Sequence, residues 1–151
     1  MRIEIDISGQ VQQLNYDSAL GFWRENGLEK AVHLTSKTKK VIIKKYKGQV
    51  TNLIEKLHCI LIYYCIKDDL DDVNEIKICR DISARRLKNF LPLLFKAHNY
   101  LAEKRIKVRK GDEPASKAHR IALKAFRRKK YASSLITEEM IEHVLFEFKK
   151  R

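Results

Sequence analysis

Lysine and arginine gathered in four clusters are the first chemistry this chain offers. One runs Lys37, Lys39, Lys40, Lys44, Lys45 and Lys47, and a second Arg80, Arg85, Arg86 and Lys88. A third holds Lys104, Arg105, Lys107, Arg109 and Lys110, and the fourth runs from Lys117 and Arg120 through Lys124, Arg127 and Arg128 to Lys130. Over 151 residues, 32 Lys+Arg stand against 19 Asp+Glu, a net charge of +13. So dense a positive surface suits phosphates, each neutralised phosphate contributing about −0.9 to the log–log salt slope on duplex DNA. Lys39, Lys40, Lys44, Lys45, Arg85, Arg86, Lys117, Arg120, Lys124, Arg127 and Arg128 are therefore the expected nucleic-acid-binding residues. A well-solvated lysine surface is the plainer alternative. Trp23, Phe22, Tyr16 and Tyr46 are aromatics that either stack bases or serve the sheet and core.

Other chemistries are excluded by what is missing. There is no CxxC or HExxH pattern, and the five glycines are isolated, so neither a zinc site nor a glycine-rich phosphate loop is expected. Cys59, Cys65 and Cys79 lie in apolar stretches and are odd in number, against a disulfide framework. The longest apolar run, Cys59 to Ile66, falls far short of the roughly 20 residues that span a bilayer. Met1 to Asp6 has no charged region followed by an apolar one, so no secretory leader is expected. A cytoplasmic protein with no membrane partner follows as the expectation.

These side chains need a scaffold, and the apolar pattern predicts one. Ile3, Ile5 and Ile7 alternate with Glu4, Asp6 and Ser8, the period of a strand with one apolar face. Val11 to Leu14 extends it, Ala19 to Trp23 supplies a second strand, Asn26-Gly27 marks a hairpin, and Ala31 to Thr35 supplies a third. Ser36 is the expected cap of a helix to Tyr46, although Val41-Ile42-Ile43 also suits a strand. After Gly48, Val50, Leu53, Ile54, Leu57, Ile60, Leu61 and Tyr64 trace a helix face to about Lys67. A short strand from Glu75 finishes near Asp81, Ser83 caps a helix that Pro92 kinks or breaks, and Ile106 and Val108 give another strand. Pro114 opens a basic helix, and Thr137 caps a last one. The expected order is βββ-α-β-α-β-α-α, one α/β domain over 1–151 with C-terminal helices over about 115–149.

This order, with an acid at three of its stations, resembles the ribonuclease H-like superfamily. The resemblance implies a mixed sheet with three antiparallel strands followed by parallel ones, flanked by helices. It also implies one acid on the first strand, one on the helix after the meander and one at the end of the fourth strand. Those positions are Asp6 in Ile5-Asp6-Ile7, Glu55 in Leu53-Ile54-Glu55-Lys56, and Asp81 after Ile78-Cys79-Arg80. Spacing adds that Asp6 faces away from Ile3, Ile5 and Ile7, and that Asp81 shares a face with Lys77 and Cys79. Glu55 heads a helical flank with Cys59, Ile62 and Ile66. If the first and fourth strands pair as the resemblance implies, Asp6 and Asp81 turn into one pocket.

Three converging carboxylates suit Mg²⁺ or Mn²⁺, and two such ions about 4 Å apart would drive phosphodiester hydrolysis. The family's fourth acid has Asp112, Glu113 and His119 as candidates, with Glu138, Glu139 and Glu142 later. His119 either shuttles a proton or contacts phosphate. Gln10, Gln12 and Asp17 are candidates to line the groove. On the residues alone, Asp6 also reads as a solvated strand residue, Glu55 as a partner of Lys56 or His58, and Asp81 as a helix-start charge. Glu75-Ile76-Lys77 resembles the ExK element of restriction-endonuclease-like enzymes with Asp72 upstream, but lacks the hairpin between them. The leading expectation is a metal-dependent nuclease acting on DNA or RNA, in keeping with a homodimer. The alternative is a basic nucleic-acid-binding protein on the same fold without catalysis.

Overall fold

The computed structural model describes residues 1–78, 84–95, 105–108 and 116–146. The meander forms as the alternation requires: β1 (Arg2–Ser8), β2 (Ser18–Arg24) and β3 (Glu29–Leu34) pair antiparallel in sequence. Gly27, at φ +94, turns the second strand into the third, a backbone state that costs glycine nothing. Helices α1 (Ser36–Tyr46) and α2 (Leu53–Ile66) then carry the chain back to β4 (Glu75–Ile78). Helix α3 (Ala84–Phe90) stops at Pro92, where a 3₁₀ turn (Leu91–Phe95) takes over, since proline offers no N–H to continue the ladder. Strand β5 (Arg105–Val108), helix α4 (Lys117–Arg127), a 3₁₀ turn (Lys129–Tyr131), strand β6 (Ser134–Leu135) and helix α5 (Glu138–Leu145) follow.

The strands lie in the order β5-β4-β1-β2-β3-β6. The pairs β1–β4, β4–β5 and β3–β6 are parallel, so the sheet is mixed and β1 is central. The first and fourth strands do pair, Ile3 beside Ile76 and Ile5 beside Ile78.

The two sheet faces are packed differently because their side chains differ. Ile3, Ile5, Ile7, Leu20, Phe22, Val32 and Leu34 face α2, whose Leu57, Ile60, Leu61 and Ile62 are fully buried with them. Helix α2 has no acid, base or amide after His58 and is buried nearly all round, and α5 packs on its other side. The opposite face carries α4, laid over β1, β2 and β3. There the contact residues are small: Ala19, Ala31 and Ala125 with Ile121, while Gly21 meets Ala118 and Ala122. A Cβ on Gly21 would stand 2.5 Å from the Ala122 amide nitrogen and 2.6 Å from the Ala118 carbonyl. Both atoms are backbone, so only movement of α4 makes room. Gly21→Ala is expected to destabilise the protein by about 2 kcal/mol and lower the melting temperature by roughly 6 °C. An unchanged melting curve would show that α4 does not sit this close.

Several expectations change here. Val11 to Leu14 does not extend β1; the backbone turns, because the ammonium of Lys39 collects the carbonyls of Gln10, Gln13 and Tyr16 at 3.1, 3.0 and 2.8 Å. Thr35, not Ser36, caps α1, its hydroxyl accepting from the Thr38 amide at 3.2 Å. Val41-Ile42-Ile43 is helical, since Ile42 at that phase reaches the core. Helix α2 starts at Leu53, not Val50, because Asn52 is left-handed at φ 54. The segments before and after Gly48 form two separate helices, where the expected order βββ-α-β counts one between the third and fourth strands. Strand β6 has no signal in the sequence: its two residues are exposed and carry no alternation. The expected ends at Asp81, Ser83, Gly111 and Pro114 lie outside the described residues.

Candidate functional site

β1 brings two carboxylates under the start of α4. Glu4 and Asp6 point to the α4 face and are 7% and 5% exposed. Helix α4 has no acid in its own first turn, and Ser116, its cap, makes no side-chain bond to the helix. The strand supplies what the helix lacks: Glu4 Oε1 accepts from the Lys117 amide at 3.1 Å. A carboxylate there satisfies an unpaired N–H and meets the positive end of the helix dipole. Arg2 donates to the other oxygen, Glu4 Oε2, at 3.3 Å. Glu4 is thus a cap placed from a neighbouring strand.

Asp6 is arranged differently. Its Oδ1 accepts from the Ile7 amide at 2.8 Å, which fixes the carboxyl plane. Its Oδ2 accepts from the Ser116 hydroxyl at 3.3 Å and lies 3.4 Å from His119 Nδ1. Asp6 is buried, whereas the His119 side chain is 52% exposed, so the pair runs from the sheet interior to solvent. Gly21 is the strand partner of Asp6, and its missing side chain lets α4 approach near enough for this contact.

Below the other end of α4, His33 Nδ1 is 3.0 Å from the Ala125 carbonyl and Nε2 is 2.8 Å from Asp17 Oδ2. Asp17 Oδ1 accepts from the Ser36 amide at 2.7 Å. Burial works to raise the Asp17 pKa, but the hydrogen bonds from His33 and Ser36 outweigh it and hold the carboxyl below its usual range. Asp17 is therefore occupied in tying α4 and α1 to the sheet and does not line a groove.

The remaining predicted residues are dispersed. Glu55 enters from the start of α2, whose side chains pack on the face opposite Asp6, and its oxygen is 3.7 Å from the Arg86 guanidinium. Arg86 also bonds Asn52, so it pins α3 to the α2 start and is only partly available to a phosphate. Asp81, Asp112 and Glu113 lie outside the described residues. Among the described residues no three of His, Cys, Asp or Glu converge as a metal cluster. Asp6 and His119 nevertheless offer one hard oxygen and one imidazole nitrogen on adjoining elements, a pair suited to Mn²⁺, or to Mg²⁺ with water and further carboxylates completing the shell.

Compared with family models, with curated proteins and with solved structures, the chain has no match.

The basic set divides by burial. Lys39 is a correction: it is fully buried and its ammonium serves three carbonyls, so it does not reach phosphate. Burial pushes its pKa down to about 8, against the pull of Asp17. Lys40, Lys44 and Lys45 are exposed on α1, with Lys45 paired to Glu142 at 3.0 Å and Glu138 at 3.7 Å. Arg85 is exposed on α3. Lys117, Arg120, Lys124, Arg127 and Arg128 form an exposed face along α4. Phe22 and Tyr46 are buried, and Trp23 lies beneath Lys117 and Arg2, whose charges sit 4.4 and 5.7 Å from its ring centre. Tyr131, 44% exposed, is the aromatic that sequence reasoning misses, and its signal is its place directly after Lys129-Lys130. Cys59 and Cys65 are buried and their thiols pushed up to about 12, so both are core residues without reactivity. Among the described residues no helix is long and apolar enough to cross a membrane.

Proposed function

We propose that this chain is a metal-dependent nuclease of ribonuclease H-like type that hydrolyses phosphodiester bonds in nucleic acid. The observation that carries it is Asp6: a buried carboxylate on the central strand, with one oxygen turned to the half-exposed His119 at the start of α4. Glu4 already supplies the cap that α4 needs, so Asp6 is not required for capping. The sheet order, with β1 between antiparallel β2 and parallel β4, supports the same reading, since it pairs Ile78, the last residue of β4, with Ile5, the neighbour of Asp6.

In this reading Asp6 and His119 hold the metal, with Asp81 as the further carboxylate that the resemblance assigns; Glu55, on the other side of the sheet and paired with Arg86, stands apart from them. A bound Mn²⁺ or Mg²⁺ supplies Lewis acidity toward a phosphate oxygen. Ser116 and the Ile7 amide fix the Asp6 carboxyl so that it need not reorganise. His119, where it is not a ligand, moves a proton at Nδ1 between Asp6 and solvent. The cations on the outer face of α4 hold the phosphates beyond the site.

A second reading, a nucleic-acid-binding protein without catalysis, is favoured by the lack of a three-ligand cluster among the described residues. Thermal melting with Mn²⁺ separates the two. With Mn²⁺ about tenfold above its dissociation constant, wild type is expected to gain roughly 4 °C, and Asp6→Asn to gain nothing. Equal shifts in both proteins would remove Asp6 from any metal site and leave the second reading.

A further inference from the structure

The outer face of α4 carries, beside its cations, a shape that phosphate contact alone does not require. Two cavities of about 180 and 320 Å³ open there side by side. Arg120, Lys124 and Tyr131 line both. The larger is completed by Leu123, Arg127 and Arg128, and no acid among the described residues lines it. The smaller is edged by Glu29, which pairs with Arg120 at 3.0 Å, but both partners are well exposed and so weakly held. Tyr131 stands between the cavities with Lys124 Nζ 4.3 Å and Lys130 Nζ 5.3 Å from its ring centre.

We propose that this groove binds an unpaired nucleotide strand, with one base stacked on Tyr131 and the adjoining phosphates held by Arg127 and Arg128. It rests on the reading of the chain as a protein that acts on nucleic acid, and it narrows the substrate to one with a single-stranded stretch. Arg120, Lys124, Arg127 and Arg128 around the larger cavity select an anion, and the three arginines carry planar forks that match phosphate oxygens. An exposed aromatic ring beside them has no counterpart in duplex recognition, because paired bases present no free face to it. The lysines over the ring are no obstacle: a base stacks on an exposed aromatic more strongly than an exposed lysine holds to one. The displaced ammonium then remains beside the phosphates.

The groove also lies where such a strand would pass. His119 is in the first turn of α4 and Arg127 at its last residue, about 12 Å apart along the helix axis. A strand crossing the Asp6–His119 pair can therefore follow the basic face of α4 to Tyr131.

The test is binding, read by fluorescence anisotropy in EDTA so that cleavage plays no part. The probes are a labelled oligothymidylate, an oligouridylate and a duplex of the same length. Tyr131→Leu is expected to weaken both single strands about tenfold and the duplex less than twofold. Tyr131→Phe, which keeps the ring, is expected to keep wild-type affinity. Arg127→Gln with Arg128→Gln weakens all three probes and flattens the single-strand salt slope by about 0.7 for each phosphate no longer neutralised. Wild-type affinity in Tyr131→Leu, an equal loss on duplex, or failure of wild type to bind single strands would each overturn the proposal. A wild type that binds as expected but never cleaves would sink the nuclease reading and leave this groove standing.

Discussion

Asp6→Asn is expected to reduce Mn²⁺-dependent phosphodiester cleavage by about 10³-fold while leaving the fold intact. The change is close to isosteric. Asn Oδ1 can still accept from the Ile7 amide, and the new amide can face the Ser116 hydroxyl, so the two hydrogen bonds that hold the side chain have replacements. What disappears is the charge, in a position that is 5% exposed and little screened by water. Charge stabilisation by a bound metal is worth several kcal/mol of barrier, and each factor of ten in rate corresponds to about 1.36 kcal/mol. His119→Gln should cost less, roughly 10²-fold, since His119 is half in solvent and water can take over part of its role. Initial rates on one substrate, with melting curves to confirm folding, check both. A loss in His119→Gln equal to that in Asp6→Asn would mean the two act as one unit.

Lys39→Met carries the largest expected effect on stability. The ammonium is fully buried and donates to Gln10, Gln13 and Tyr16, so it holds the turn after β1 closed. Methionine fills much of the space but removes three charge-assisted hydrogen bonds; the Gln10 and Gln13 carbonyls keep the amides of Gln13 at 3.0 Å and Tyr16 at 3.4 Å, and the Tyr16 carbonyl loses the ammonium. A hydrogen bond from a charged group is worth about 1.5–3 kcal/mol, and water entering this surface turn recovers part of that loss. A net loss of about 3 kcal/mol is expected, lowering the melting temperature by roughly 9 °C. The pH dependence has a definite sign. The ordinary lysine pKa of 10.5 applies to the unfolded chain, while burial lowers the folded value to about 8. Between the two the unfolded chain binds more protons, so the stability contributed by Lys39 rises as pH climbs from about 8 toward 10.5. Denaturant melts across that window should show the gap between wild type and Lys39→Met widening. A constant gap would mean that the buried group titrates like a free lysine.

Asp6 and Lys39 also mark how far local pattern reaches in this chain. Asp6 can be placed on its face because strand alternation is a local signal: Ile3, Ile5 and Ile7 define one side, and the acid must take the other. Its burial is not legible, because that depends on α4, more than a hundred residues away, whose approach is set by one glycine and a row of alanines. Lys39 misleads for a related reason. A lysine in a lysine-rich helix looks solvated, and nothing near it in sequence announces that the Gln10 to Tyr16 turn will fold over it. The meander, the Asn26-Gly27 hairpin, the break at Pro92 and the Thr137 cap are all readable, since each follows from spacing or from a residue's own backbone chemistry, whereas the pairing of first and fourth strands enters only through the family resemblance. Thr35 displaces Ser36 as the α1 cap because only its hydroxyl meets the Thr38 amide, a difference of one residue that composition does not resolve. Glu55 stands out by its place on a helix flank, and that flank indeed buries Cys59, Ile62 and Ile66. The Arg86 guanidinium beside it comes from α3, and no pattern within α2 foretells it.

Catalysis at Asp6 is tested most directly by cleavage of labelled duplex, single-stranded, hybrid and branched nucleic acid in Mn²⁺. Wild type is run beside the Asp6→Asn/Asp81→Asn double variant, with binding of each followed in parallel. Wild type is expected to cleave at least one of these substrates, the double variant to lose that cleavage, and both to keep binding. Tight, salt-sensitive binding with no cleavage by either protein would contradict catalysis at Asp6 and leave a basic nucleic-acid-binding module.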